Sequence, residues 1–61
     1  MNVHNNKILE ILKREKVVTS SEVAKDLKIS WNTADKYLLE LAFEGKIIRI
    51  KKLGVNLWLL K

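Results

Sequence analysis

Residues 46 to 61 carry five cations, Lys46, Arg49, Lys51, Lys52 and Lys61, and no acid. Ammonium and guanidinium groups at neighbouring positions of an extended segment suit contact with phosphate, a chemistry of charge and hydrogen bonding rather than of bond making. The remainder of the chain is neutral. Seven cations (Lys7, Lys13, Arg14, Lys16, Lys25, Lys28, Lys36) balance seven acids (Glu10, Glu15, Glu22, Asp26, Asp35, Glu40, Glu44), so the whole formal charge of +5 resides in the last quarter. Lysines also serve to keep an edge strand from pairing with other chains. The phosphate reading is preferred because of a second group, Ser30, Trp31, Asn32, Thr33 and Lys36, which lies within seven residues. An asparagine amide pairs bidentately with adenine, a lysine donates to guanine or phosphate, and a hydroxyl at a helix start binds a phosphate oxygen.

Other chemistries find little support. Cysteine is absent, which excludes a disulfide, a thiolate metal site and a thiol nucleophile. His4 is the single histidine and is expected to be solvated near a frayed terminus, without a ligand cluster to join. Glu22 reads as a helix cap, and Glu40 and Glu44 as a solvated helix pair, rather than as acids of a reaction. No glycine-rich phosphate loop occurs. The expectation is therefore a protein that is not an enzyme, with no cofactor, no metal and no small-molecule ligand. The apolar runs at 47 to 50 and 57 to 60 fall far short of the ~20 residues that span a bilayer, and Met1 to Lys7 has no apolar signal core. A cytoplasmic location and no membrane partner are expected.

The elements that must position these groups follow from spacing. A chain of 61 residues makes one domain, 1 to 61, that buries only ~60% of its unfolded surface. Before Gly45 the apolar residues keep helical spacing in three sets: Ile8, Ile11 and Leu12; Val23, Ala24 and Leu27; Ala34, Leu38 and Leu41. The first helix is expected at about 5 to 15, capped by Asn5 or Asn6, with a short strand at 17 to 18 where β-branched Val17-Val18 disfavours helix. Thr19-Ser20-Ser21-Glu22 has the form of a capping box and opens a second helix at about 20 to 27. Ser30 opens a third at about 31 to 44, which Gly45 ends with a left-handed cap. Beyond Gly45 the period becomes two, and a hairpin is expected over about 46 to 60.

Two helices joined by Lys28-Ile29-Ser30 describe a helix-turn-helix. The stretch from Val18 to Ala34, VTSSEVAKDLKISWNTA, and the later Leu38 to Ile48, LLELAFEGKII, resemble the winged helix-turn-helix superfamily of prokaryotic and archaeal regulators, over about residues 5 to 60. The resemblance implies an α+β fold of three helices, a short strand and a C-terminal hairpin wing. It implies sequence-preferring binding of double-stranded DNA by a transcriptional regulator, with helix 31 to 44 in the major groove and the basic wing 46 to 61 on the backbone. Carried over position by position, Ser30 matches the family's cap, Thr33 its threonine, and Trp31, Asn32, Asp35 and Lys36 its basic or polar readers. The expected DNA contacts are Ser30, Trp31, Asn32, Thr33 and Lys36 on the helix and, from the charge of the implied wing, Arg49, Lys51 and Lys52. Trp31 either packs on a sugar or thymine methyl or caps the turn. Two positions depart from the pattern. Members often have glycine where Lys28 stands, and a lysine held at positive φ costs roughly 1 kcal/mol. Asp35 falls on the reading stripe with Asn32, Lys36 and Leu39, where a carboxylate repels phosphate unless it accepts from cytosine or orients a cation.

A three-residue loop, Gly54 to Asn56, would set Ile50 opposite Leu60 and place Ile48, Ile50, Trp58 and Leu60 against the core. Leu53, Leu57 and Leu59 would then lie outside with Arg49 and Lys51. Such an apolar exterior suits an alternative function, a module that docks a protein partner, or a homodimer through Leu53, Leu57 and Leu59.

Overall fold

The Thr19 hydroxyl accepts from the Glu22 amide at 3.2 Å while the Glu22 carboxylate accepts from the Thr19 amide at 2.8 Å, closing the expected capping box. Ser30 likewise accepts from the Thr33 amide at 3.2 Å. These two caps start the second and third helices at the residues their side chains dictate. The computed structural model describes residues 3–61, with the order α1 (Val3–Glu15), β1 (Val17–Thr19), α2 (Ser20–Leu27), α3 (Trp31–Phe43), β2 (Ile47–Lys52) and β3 (Val55–Leu60). Three helices pack on one antiparallel sheet of order β1-β3-β2, an α+β arrangement consistent with a winged helix.

Left-handed residues end each helix. Lys16 (φ 73) turns the chain out of α1 into β1, and Lys28 (φ 56) ends α2. Around Lys28, Ile29 N–H donates to the Ala24 carbonyl and Lys28 N–H to that of Lys25. Gly45 (φ 79) does the same after α3, with Lys46 bonded to Leu41 and Gly45 to Ala42. Both are Schellman patterns, which satisfy the last carbonyls of a helix. Lysine therefore does occupy the conformation that favours glycine. Helix α1 corrects the sequence reading. Asn5 and Asn6 lie inside it rather than capping it, and His4 is half-buried, its ring stacked on that of Tyr37 at 5.3 Å rather than solvated.

The core consists of Ile8, Ile11 and Leu12 from α1, Val18, Val23, Ala24, Ala34, Leu38, Leu41 and Ile47, closed by Trp58, which is 0% exposed. The hairpin register differs from expectation. Leu53 (φ 51) and Gly54 (φ 79) both sit at positive φ and form a two-residue turn, the type I′ geometry whose twist matches that of the strands. Ile50 therefore pairs with Leu57, Arg49 with Trp58 and Ile47 with Leu60. Paired residues share a face, so Ile47 and Leu60 join Trp58 on the helix side, while Ile48 and Ile50 point outward with Leu57 and Leu59. Ile48 and Ile50 are accordingly exposed, and Ile47 is buried in their place. The physical reason is loop length. One residue fewer in the turn shifts the pairing by an odd step and inverts the face of β2 relative to the core.

Candidate nucleic-acid interface

The same register that turns Ile48 and Ile50 outward turns Arg49 and Lys51 toward the helices. Lys51 pairs with Asn56, and both line a cleft of about 280 Å³ between the wing tip and the starts of α2 and α3, together with Thr19, Ser21 and Trp31. Strand β2 is the sheet edge, so Arg49 and Lys51 remain exposed although their face is the one that carries Trp58. Lys52 lies on the opposite face of the strand, beside Val55. The three wing cations thus do not form one row: Arg49 and Lys51 share the face that carries Trp58, Lys51 alone lines the cleft, and Lys52 lies on the other face.

Helix α3 contributes Trp31 to the cleft and carries the other candidate contacts outside it. Ala34, Leu38 and Leu41 are buried, which leaves Asn32, Lys36 and Leu39 exposed on the opposite side. Trp31 is 53% exposed at the mouth of the cleft. Ser30 and Thr33 remain at the helix start with their hydroxyl oxygens 2.7 Å apart, so one of the two hydroxyl protons is engaged locally. Lys61 lies at the end of β3, where its amide donates to the Lys46 carbonyl.

Asp35 keeps its place on the stripe but not the expected role. Its carboxylate accepts from the Ser20 hydroxyl at 2.8 Å, and the same Ser20 oxygen accepts from the Trp58 indole N–H at 2.9 Å. Ser20 is buried and Asp35 half-buried. A chain of indole, hydroxyl and carboxylate thereby joins β3, α2 and α3 at one point. A buried indole N–H needs an acceptor and a buried hydroxyl needs both kinds of partner, so each member satisfies the next. Asp35 is a structural acceptor here, with one carboxylate oxygen held by Ser20. Sequence reasoning missed Ser20 in this role, and Ser21 and Asn56 in the cleft wall. The Asn56 Oδ1 atom is buried with no hydrogen-bond partner among the described residues, an acceptor beside the Lys51 ammonium stem.

Residues 4–61 match the family model described as FaeA-like protein. The chain belongs to that family. FaeA-like proteins are winged-helix-like regulators, so at family level this chain is a DNA-binding regulator. No curated protein matches the chain. Among the described residues of this FaeA-like chain, no group of three His, Cys, Asp or Glu side chains could hold a metal ion. No helix of the described residues is long and apolar enough to cross a membrane.

Proposed function

We propose that this chain binds double-stranded DNA with sequence preference as a transcriptional regulator, the first two turns of α3 entering the major groove and the wing resting on the backbone. One observation carries the reading. The sole acid in the first two turns of α3, Asp35, is drawn inward by Ser20, while Asn32 and Lys36 stay exposed and Lys51 lies across a cleft from Trp31. The surface presented is polar and cationic, the complement of a groove bordered by phosphates. In this reading Asn32 pairs with adenine and Lys36 with guanine or phosphate. Arg49 and Lys51 hold phosphate, and Trp31 packs on a sugar or a thymine methyl. Ser30 and Thr33 offer a hydroxyl to phosphate at the helix start, and Lys52 is a peripheral contact.

A titration of labelled mixed-sequence duplex at several salt concentrations tests it. Three phosphate contacts, from Lys36, Arg49 and Lys51, give a log–log slope of about −2.7. Absence of binding at low salt, or a slope near zero, would overturn the reading. Asn32→Ala is expected to change the preferred sequence and leave the salt slope alone. The apolar outward face of the sheet favours one other reading, the docking of a protein partner there. In that case Ile50→Lys abolishes partner binding, and duplex binding is absent from the start.

A further inference from the structure

Among the described residues two large apolar side chains are each 94% exposed, far more than the other apolar side chains: Leu53 at the wing tip and Phe43 in the last turn of α3. Single exposed apolar residues are ordinary. These two differ in their settings. Leu53 occupies the first position of a type I′ turn at φ 51, where asparagine or glycine is favoured and a leucine is strained. It is preceded by Lys51 and Lys52, and Lys52 faces away from the cleft. Phe43 and Leu39 flank a shallow notch of about 450 Å³ whose remaining lining is acidic, Glu40 and Glu44. Glu44 makes a 3.5 Å ion pair with Lys46, both side chains half-exposed, whereas no ion pair within 4.0 Å engages Glu40 among the described residues. On a chain of net charge +5 this is an acidic, apolar recess at the end of α3 remote from Asn32. The wing tip is its counterpart in both respects, an apolar knob beside cations.

We propose that the wing tip of one copy docks on α3 of another, Leu53 seated between Leu39 and Phe43 with Lys52 paired to Glu40. The two patches are different surfaces of one chain, so the contact is heterologous and head-to-tail and does not close at two copies. Lys52 lies on the face of β2 opposite Arg49 and Lys51, and neither Lys52 nor Leu53 lines the cleft, so the contact does not use the cleft that Lys51 borders. The patches are much smaller than the ~800 Å² per partner of a stable complex, so association is weak in free solution. It strengthens where copies are held side by side, because the second contact then becomes effectively intramolecular.

Sedimentation of the whole chain without DNA, at low ionic strength and up to about 1 mM, tests this independently of duplex binding. The expected result is a mass that rises with concentration beyond that of a dimer. Leu53→Asn improves the turn chemistry, so the fold survives, yet it is expected to weaken association at least about tenfold by removing the buried leucine. Lys52→Glu and Glu40→Lys should each weaken it about two- to fivefold, and the two together should restore it, as expected of an exposed ion pair. Three results would overturn the proposal: a chain that stays monomeric throughout, a charge exchange that fails to restore association, or a plateau at dimer mass that Ile50→Lys removes and Leu53→Asn does not. The last would assign self-association to the outward face of the sheet.

Discussion

The two faces of the sheet are made of alternate residues of the same three strands, yet they have nothing in common. The helix side runs from Trp58, Ile47 and Val18 in the core past Arg49 to Lys51 and Asn56 at the cleft. The outward side is mostly apolar, with Val17, Ile48, Ile50, Val55, Leu57 and Leu59; Thr19 and the cation Lys52 are its polar members. A conventional half-buried sheet is apolar inward and polar outward. Here Arg49 and Lys51 share the face of the core and still remain exposed, because β2 is an edge strand.

The contrast is breakable, and the largest effect is expected on the helix side. Trp58→Ala removes the core's largest side chain and its link to Ser20 together, a loss of about 3–5 kcal/mol that leaves so small a domain largely unfolded in a thermal melt. Ser20→Ala keeps the packing but strands the Trp58 N–H in a buried site, and chemical denaturation should show a loss of about 1–3 kcal/mol. Asp35 separates geometry from charge. Both Asp35→Ala and Asp35→Asn delete the carboxylate charge, but only asparagine still accepts from Ser20. Asp35→Asn should therefore bind duplex more tightly than Asp35→Ala, and equal affinities would show that only the charge matters. Lys51→Ala should reduce the magnitude of the salt slope by about 0.9, whereas Lys52→Ala on the opposite face should change it much less. Away from both faces, Lys28→Gly should raise stability by about 1 kcal/mol, since it relieves a left-handed lysine. Ile50→Thr on the outward side is expected to change stability least, by about 0.5 kcal/mol or less.

Much of the architecture was legible because it is locally encoded. The capping box at Thr19 and Glu22 and the Ser30 cap involve partners three residues apart, and Gly45 marks the end of α3 by its own conformation. The start of α1 was less legible, because Asn5 and Asn6 serve equally as caps and as first-turn residues. The candidate contacts on α3 were readable to the extent that helical spacing places Asn32 and Lys36 opposite Ala34 and Leu38. Asp35 was not readable. Its position on the stripe was right, but its partner Ser20 is 15 residues before it and is bonded in turn to Trp58, 38 residues from Ser20.

Local sequence by itself determined where α2 and α3 begin, where the helices end, which residues form the core stripes, and that the positive charge resides in the hairpin. These follow from caps, periodicity and composition, all of which act over a few residues. The tertiary structure alone decided the register of the wing and the orientation of Asp35. A strand has two faces of equal standing, and only the turn geometry together with burial of Trp58 against α1, α2 and α3 selects between them. A carboxylate likewise turns toward the donor nearest in space, which the order of residues along the chain does not specify.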